Sequence, residues 1–441
     1  MDAALSGRLT DTFRAFRHRN YRLFYLGQTI SLSGTWMQTI AQAWLVLQLT
    51  GSKVALGTVV TLQFLPITVF ALFGGVIADR VPKRNFVIGT QTLAMCQAAA
   101  LAVLVLTGHI QLWHVYLLAL TLGLINAFDQ PTRQAFVVEM VGREDLMNAV
   151  ALNSGMFNGA RLIGPAIGGF LIAAVGVEGA FLLNAVSFLP VIAGLLLMDV
   201  SELRTVNRRT AGPVGALGEL REGLSYAFTT PAVLLIVILV GIIGTFGYNF
   251  TVILPLVDRF LLDRGSVEFG FLTSAVGLGA LISALFLASR RAATKRTLFL
   301  GAVAFAVLLG AVALSRWYYL TLLLLIFLGA ASIAFTATAN TSLQISSPDY
   351  LRGRVMGLYQ MLFVGSTPIG AFLTGLMAEH LGVAQAISIE AGLCMVGAGA
   401  GLLYYFSHRH QIPAAAELYR PAEATASRER AESPGAVALQ G

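Results

Sequence analysis

The sequence has little charge. Asp, Glu, Lys and Arg make up 12% of its 441 residues, whereas about 25% is usual for a soluble domain. Hydrophobic residues make up 56%, and the mean hydropathy is +0.76. This composition excludes an ordinary soluble domain and indicates a protein of the lipid bilayer. The apolar runs are continuous rather than alternating, so they predict membrane-spanning helices and not a β-barrel.

Residues for catalysis and metal binding are also scarce. The two cysteines, Cys96 and Cys394, lie inside apolar runs, where we expect small buried side chains and neither a disulfide nor a metal site. Six scattered histidines and no paired intramembrane carboxylates offer little for bond-breaking chemistry. The sequence has no GxxxxGK[ST] phosphate-binding loop. We therefore expect no enzyme, no cofactor and no metal, and an ion gradient as the energy source.

Apolar runs long enough to cross a bilayer recur along the chain, since about 20 helical residues span its hydrocarbon core. They predict an all-α integral membrane protein with twelve transmembrane helices. The predicted spans cover residues 23–49, 54–79, 86–106, 112–138, 147–175, 177–198, 231–260, 267–289, 297–315, 317–345, 352–381 and 383–407.

Polar segments divide the chain into five regions. A basic N-terminus covers 1–22, and six-helix bundles cover 23–198 and 231–407. The linker 199–230 is polar and then amphipathic, which predicts a short helix on the membrane surface. The tail 408–441 is rich in Ala, Pro, Glu and Arg and is predicted to be disordered.

The cations predict the orientation. With both termini in the cytoplasm, the outside loops hold only Lys53, Arg259, Arg264 and Arg316 of the 29 Lys and Arg residues, which satisfies the positive-inside rule. The net charge of +7 is thus a topology signal that also suits anionic lipid headgroups, and we expect no nucleic-acid partner.

The two halves resemble each other. A shift of 206 residues lays GPAIGG (164–169) on GAFLTG (370–375), Gly123 on Gly329 and Asn184 on Glu390. Duplicated parallel bundles that meet at a central cleft are the architecture of a transporter whose bundles rock against each other.

The segment GGVIADRVPKRN (74–85) resembles the signature loop of the major facilitator superfamily. The matching residues are Gly75, Ala78, Asp79, Arg80, Lys83 and Arg84, while Pro82 stands where the family usually has glycine. The resemblance implies a gate in which Gly75 allows close helix approach and Asp79 neutralises the positive end of span eleven. An ordinary positive-inside loop explains the cations, but not Gly75 or Asp79.

A second segment, GARLIGPAIGG (159–169), resembles the glycine-proline motif of the superfamily's exporter branches. Gly164, Pro165, Gly168 and Gly169 match, and Ala160 replaces an upstream glycine. The motif implies export, although close helix packing alone also explains its glycines. Together with the N-terminal stretch 13–52 and DQPTRQAF, the chain resembles the bacterial branch of siderophore exporters and macrolide efflux proteins.

Asp129 ends an apolar run, and a charge inside the bilayer requires a partner. Arg133 lies one helical turn away and Arg161 lies on the next span. Three interpretations are open: an inner-gate ion-pair cluster of Asp79, Arg80, Asp129 and Arg133, a proton carrier, or a static structural pair.

Other polar positions also have two interpretations. Glu390 is either a second proton site or a helix contact, and Arg161 either holds an anionic substrate or pairs with a helix carbonyl. A further set either lines a cavity for an amphipathic substrate or joins neighbouring helices by hydrogen bonds. This set comprises Gln28, Ser31, Thr35, Trp36, Gln38, Gln42, Gln63, Phe64, Asn126, Asn158, Tyr248, Asn249, Tyr359 and Gln360.

The sequence therefore predicts a monomeric transporter of the bacterial inner membrane that exports an amphipathic small molecule in exchange for protons. The alternatives are a proton-coupled importer or uniporter of the same fold, a membrane-embedded enzyme, and a non-transporting scaffold.

Overall fold

A computed structural model describes residues 13–204, 213–289 and 294–412. Within these ranges all regular secondary structure is helical. Most of the tail that the sequence predicts to be disordered lies outside the described residues, as does the first part of the linker.

The N-terminal half contains six helices. The continuous helix Leu146–Leu196 breaks at Gly176, whose φ of 80° is costly for any residue with a Cβ, and so it forms α5 (146–175) and α6 (177–196). The other four are α1 (Arg19–Thr50), α2 (Lys53–Arg80), α3 (Lys83–Leu106) and α4 (Leu112–Val141).

The C-terminal half follows a linker helix, Pro213–Thr229, and also contains six helices. The first is α7 (Pro231–Leu262), which comprises Pro231–Gly247, Phe250–Leu256 and a π-helical turn, Val257–Leu262. The others are α8 (Ser266–Ser289), α9 (Lys295–Leu314), α10 (Tyr318–Ser346), α11 (Asp349–Gly365 and Thr367–Leu381) and α12 (Val383–Ser407).

The twelve-helix prediction is confirmed. By length and composition, ten of the described helices can cross a membrane. One of these ten is the 51-residue helix that Gly176 divides into two spans. The remaining span is α1, which is absent from the ten because its glutamines, serines and threonines lower its hydropathy.

The helices form two bundles that meet along two pairs of helices. In the first bundle α1 packs against the α5–α6 helix and α2 packs against α4, while in the second α8 packs against α10 and α9 packs against α12. Between the bundles, α2 packs against α11 and the α5–α6 helix packs against α8.

We call the side of the molecule that carries Arg14 and Ile412 the terminal side, and the opposite side the far side. On the far side, α2 and α11 meet at two glycines. A Cβ on Gly375 would lie 3.2 Å from the Gly57 Cα, and one on Gly57 would lie 2.5 Å from the Ala371 carbonyl oxygen. The Thr61 hydroxyl also donates to the Pro368 carbonyl at 2.9 Å. Only glycine allows this approach, so the bundles are sealed here.

The second far-side contact joins α5 and α8. A Cβ on Gly270 would lie 2.5 Å from the Pro165 carbonyl oxygen and 3.2 Å from the Gly169 Cα. The Ser266 hydroxyl donates to the Gly169 carbonyl at 3.1 Å. The glycine-proline segment of α5 therefore lies in the contact between the bundles.

On the terminal side the same helix faces are apart. Gly75 follows Gly57 by 18 residues, and Gly357 precedes Gly375 by 18. That spacing is about five helical turns, so each pair lies on roughly one face of its helix. Among the described residues, a Cβ on Gly75 or Gly357 would meet no atom within 4 Å. In this part of the chain the bundles thus meet on the far side and separate at these positions on the terminal side, which leaves a cleft between them.

Ion pairs hold the N-terminal segment and the linker helix against the bundles on the terminal side. Arg14 forms an ion pair with Asp145, and His18 Nε2 lies 2.8 Å from the second oxygen of that carboxylate. The linker helix is joined to α11 by Glu222, which lies 2.5 Å from Arg354. Both contacts hold connecting segments against the bundles.

The prediction for the cysteines is half right. Cys394 is fully buried in α12, but Cys96 is exposed on α3. A small apolar thiol is as compatible with a bundle's outer surface in a membrane as with its interior, so an apolar run does not fix its direction.

Candidate transport site

Asp129 is the centre of a buried polar cluster in the first bundle. Its side chain is 1% exposed. Oδ1 accepts hydrogen bonds from the Thr90 hydroxyl at 2.6 Å and the Gln91 amide at 3.0 Å, both on α3. Oδ2 lies 2.5 Å from Arg133 Nε. Arg133 is thus the cation that accompanies Asp129, and two α3 side chains satisfy the remaining oxygen.

The helix that carries the signature segment packs against this turn of α4. A Cβ on Gly74 would lie 2.6 Å from the Ala127 carbonyl oxygen and 3.1 Å from Pro131 Cγ. Asp129 lies between these two contact residues in sequence. A movement of α2 relative to α4 would therefore act directly on the turn that holds the carboxylate.

The cations of the signature loop lie elsewhere in this conformation. Lys83 Nζ lies 2.7 Å from a carboxylate oxygen of Glu139. Arg84 donates to the carbonyls of Leu195 and Leu196, at the end of α6 where carbonyls lack helical partners. Arg80 is exposed. The Asp79 side chain lies outside the described residues, so its predicted contact with α11 stays a prediction.

Gln38 is placed inside the first bundle and not on the cleft. Its amide donates to the Gln97 side chain of α3 at 3.0 Å, and its oxygen accepts from the Asn184 amide of α6 at 2.6 Å. Gln28 and Ser31 on the same helix are 3% and 1% exposed. For these residues the structure supports helix-helix contact over cavity lining, because α1 packs this polar face against its own bundle.

Trp36 and Arg161 form the first bundle's side of the candidate site. The Trp36 ring lies 5.9 Å from the Arg161 guanidinium carbon and 5.9 Å from the Phe157 ring centroid. Arg161 is half-buried. In the described part of the chain no carboxylate lies within ion-pairing distance of it, and it contacts the Trp36 ring face.

An aromatic cluster forms the second bundle's side. Tyr248 lies at the break in α7, where its ring stacks on Phe305 at 5.0 Å and meets the Phe363 edge at 4.9 Å. Its hydroxyl donates to the Ser332 carbonyl at 2.7 Å. Tyr359 stacks on Phe363 at 5.9 Å. Phe305 and Tyr359 are buried, so the partly exposed rings of Tyr248 and Phe363 provide the apolar surface, as in many sites for amphipathic ligands.

The remaining cavity candidates are scattered. Asn249 is fully buried against Gly370 and donates to the Thr245 carbonyl at 2.8 Å, so it packs within its bundle. Asn158 donates to the Ser154 carbonyl of its own helix. The Thr35 hydroxyl likewise bonds within α1, Asn126 is half-buried and Gln360 is exposed.

Glu390 is fully buried in α12. The Thr374 hydroxyl of α11 donates to its Oε1, while Oε2 has no hydrogen-bond partner within the described ranges. The residue therefore lies between two helices of the second bundle, whereas Asp129 lies in the first. Asn184, which the 206-residue shift aligns with Glu390, likewise joins two helices, because its amide on α6 donates to Gln38 on α1.

One buried carboxylate was missed by the sequence analysis. Asp258 lies in the π-helical turn of α7 and is 0% exposed, and among the described residues neither oxygen of its carboxylate has a hydrogen-bond partner. It lies near the end of the predicted span 231–260, and the sequence analysis did not single it out. An acid that directly follows the apolar run VILPLV was the available signal.

A family model described as "Transmembrane secretion effector" matches residues 10–430. The chain belongs to this family of the major facilitator superfamily. It is a secondary transporter of the major facilitator fold, and the resemblance seen in the signature segments is confirmed.

Curated relatives cover most of the chain. The multidrug efflux pump Tap of Mycolicibacterium fortuitum is 27% identical over 83% of this chain and 91% of its own length. The staphyloferrin A transporter of Staphylococcus aureus is 24% identical over 88% and 96%. The enterobactin exporter EntS of Shigella boydii is 28% identical over 86% and 90%.

Solved structures support the fold alone. A POT family transporter in complex with 5-aminolevulinic acid superposes with a TM-score of 0.71 at 12% identity, covering 91% of this chain and 97% of that one. The nucleoside transporter NupG superposes with a TM-score of 0.65 at 15% identity, covering 88% and 98%.

Proposed function

We propose that the protein exports amphipathic small molecules from the cytoplasm across the bacterial inner membrane in exchange for protons. Both termini are cytoplasmic, as the distribution of cations predicts, so the terminal side faces the cytoplasm. The family assignment supports the transporter class, and the relatives named as efflux pumps and siderophore exporters support the direction. An importer or uniporter of the same fold is the second candidate.

The one-sided cleft is the observation that carries this proposal. The bundles touch through Gly57 and Gly375 on the far side, and the equivalent faces at Gly75 and Gly357 stand apart. Rocking the bundles about the centre closes the second pair and opens the first. A substrate that enters from the cytoplasm then leaves on the outside, which is alternating access.

The walls of the cleft suit an amphipathic substrate. Trp36 and Phe157 on one bundle and Tyr248 and Phe363 on the other are rings that stay at least partly exposed. Arg161 provides a cation whose carboxylate-free surroundings leave it available to an anionic group of the substrate. Such a site accepts large, largely apolar molecules and prefers those with a negative charge.

Asp129 is the proposed proton carrier. In this conformation its ion pair with Arg133 and the bonds from Thr90 and Gln91 suit the ionised form. When a proton binds to Oδ2, the ion pair is lost and Arg133 is released. Because α2 packs on this turn through Gly74, the loss of the ion pair changes the packing of α2 and thereby affects the closing of the inner gate. The gate and proton-carrier interpretations therefore describe one mechanism.

The proposed partners are small-molecule substrate, protons and membrane lipids. The protein works as a monomer, with no nucleic acid, metal or cofactor, and performs no chemical conversion of its substrate. The basic terminal side fits anionic lipid headgroups.

Transport against a gradient tests the proposal. In liposomes that contain the purified protein, the lumen corresponds to the outside of the cell. When the lumen is acidic, the protein should accumulate a macrolide, siderophore or dye there. Gly57→Leu, which wedges the far-side contact open, should abolish accumulation, and Gly392→Leu, at an open position of α12, should keep it. Downhill equilibration without pH dependence would indicate a uniporter, and chemical conversion of the substrate would indicate an enzyme.

A further inference from the structure

Asp258 lies beside the contact between the two bundles on the far side. The π-helical turn that carries it packs against α8 and α12 of its own bundle. Its exposed Phe260 ring lies 4.6 Å from Lys53 Nζ, at the start of α2. The Lys53 backbone N–H donates at 2.7 Å to Glu379, at the end of α11. The turn thus borders the far-side closure and touches the first bundle through Phe260.

The backbone of this turn directs Asp258 inward. It is the one π-helical segment among the described residues, and such segments are frequent at functional sites. The carbonyl of Asp258 accepts backbone N–H groups from Asp263 and Arg264, and Asp263 adopts the left-handed conformation with φ of 49°. As a result Asp258 is 0% exposed, while the adjacent Arg259 is exposed.

The buried carboxyl group lacks the donors that an ionised form needs. No donor in the described part of the chain bonds to either of its oxygens. Asp129 shows that this fold can provide such donors, since two hydrogen bonds and an arginine reach that carboxylate. A fully buried, ionised carboxylate without partners is strongly unfavourable, whereas a neutral carboxylic acid is tolerated.

The charged neighbours do not provide the missing partner. Arg259 of the same turn and Arg264 of the next loop attract a negative charge on Asp258, and Glu268 of α8 repels it. Arg264 lies over the Tyr318 ring of α10, 5.9 Å from its centroid. The first turns of α12, which pack on the π-helical turn, carry no ionisable residue before Glu390.

We propose that Asp258 is a second protonation site, which must carry a proton for the far-side contact to close. When the contact opens, the turn loses its Phe260–Lys53 contact and water reaches the carboxylate, which takes up a proton from a hydronium ion on that side and leaves a water molecule behind. The neutral acid then packs under the closed contact. When the contact reopens, the proton returns to water on the same side. Low pH on the far side therefore favours the conformation seen here, independently of Asp129.

A distance measurement between far-side loops tests this. Spin labels at His109→Cys and Gln385→Cys report the separation of the bundles in nanodiscs, with Cys96→Ala removing the exposed native thiol. Cys394 is kept because it is fully buried. From about pH 5 to about pH 9, a range over which buried carboxyl groups titrate, the long-distance population should rise at least about threefold in the otherwise unaltered chain.

Matched variants decide the assignment. Asp258→Asn, a permanently neutral side chain, should keep the short distance across the whole range, and Asp258→Glu should restore a response to pH. Asp263→Asn, an exposed acid five residues away, should behave like the parent. A parent chain without a pH response, or an Asp258→Asn variant that responds as the parent does, would overturn the proposal. Neither measurement requires a transported substrate, so its result is independent of whether the proposed export function is correct.

Discussion

Arg133 Nε lies 2.5 Å from Asp129 Oδ2, one turn further along α4, although Pro131 stands between the two residues. Proline removes a backbone hydrogen bond from this turn and packs against Gly74 of α2 instead. The ion pair is therefore formed on a locally weakened turn, directly beside the helix that carries the signature loop. This arrangement lets a change of charge on one side chain alter the packing of two helices.

Gly57→Ala is expected to open the far-side contact. A Cβ here would lie 2.5 Å from the Ala371 carbonyl oxygen, and overpacking of this kind costs about 1–3 kcal/mol. The ratio of far-side-closed to far-side-open molecules should fall about tenfold, a shift of about 1.4 kcal/mol. The labelled loop pair described above measures this ratio.

Gly392→Ala is the control, because a Cβ there meets no atom within 4 Å. Both variants gain the same helix propensity, so only the contact differs. Equal distance distributions for the two variants would show that the α2–α11 contact does not set the conformation.

Gln38→Leu is expected to lower stability without changing substrate affinity. The variant leaves one bond each of Gln97 and Asn184 unmade, which costs about 0.6–2 kcal/mol for hydrogen bonds between membrane helices. Thermal unfolding in detergent should show a lower Tm. Thr35→Val is the control, since the Thr35 hydroxyl bonds only within its own helix. A large rise in substrate Kd for Gln38→Leu would place this residue on the cleft after all.

The fold could be predicted closely, and the directions of the polar side chains could not. Apolar runs determined the helices because the bilayer requires every backbone group to bond within its own helix. Gln38 and Trp36 lie two residues apart on α1 and so on different faces: Gln38 bonds to α3 and α6, whereas Trp36 contacts Arg161 and Phe157 of α5. Which face meets which neighbour depends on how α1 is rotated in the bundle, and helical spacing does not fix that rotation.

For Asp129 and Asp258, too, the sequence does not give all the partners or the direction of the side chain. The sequence places Arg133 within reach of Asp129, because residues four apart meet on a helix. The donors Thr90 and Gln91 belong to α3, so only the tertiary structure brings them there. Asp258 falls near the end of the predicted span 231–260, where the sequence does not distinguish a buried side chain from one at the membrane surface. No local sequence pattern predicts the π-helical turn, which directs the Asp258 side chain into the protein interior.

Arg161→Gln is expected to weaken binding of anionic substrates selectively. Losing a charge-assisted contact worth about 1.5–3 kcal/mol should raise their Kd at least about tenfold. Arg161→Lys should lose less, because it keeps the charge but not the planar geometry. Binding of cationic dyes to each variant provides the comparison. If anionic and cationic ligands weaken equally, Arg161 has a structural role in α5 and not a recognition role.

The N-terminal contact is expected to loosen in acid. Hydrogen bonds from His18 and Arg14 hold the pKa of Asp145 below its ordinary value. A carboxyl group whose pKa is lowered by folding stabilises the folded contact above its ordinary pKa and loses that effect as pH falls through the lowered value. Hydrogen exchange of amides 15–18, corrected for intrinsic rates, should therefore accelerate as the pH falls below about 4.

Asp145→Asn is the companion experiment for that contact. It should show fast exchange at neutral pH with no further acid dependence, because the titrating group is gone. Protection that is equal in the variant and the parent would mean that the packing of Phe16 against Tyr21 and Tyr25 holds the segment without the ion pair.

Substrate-evoked proton flux in proteoliposomes is the most direct test of the central claim that Asp129 couples protons to transport. Asp129→Asn is compared with the parent and with Glu139→Gln, which removes another carboxylate of α4 that is paired with Lys83. We predict that Asp129→Asn binds substrate normally and loses proton flux by at least about tenfold, while Glu139→Gln keeps it. Flux that stays coupled to substrate in Asp129→Asn would contradict the account and make Glu390 the next carboxylate to test.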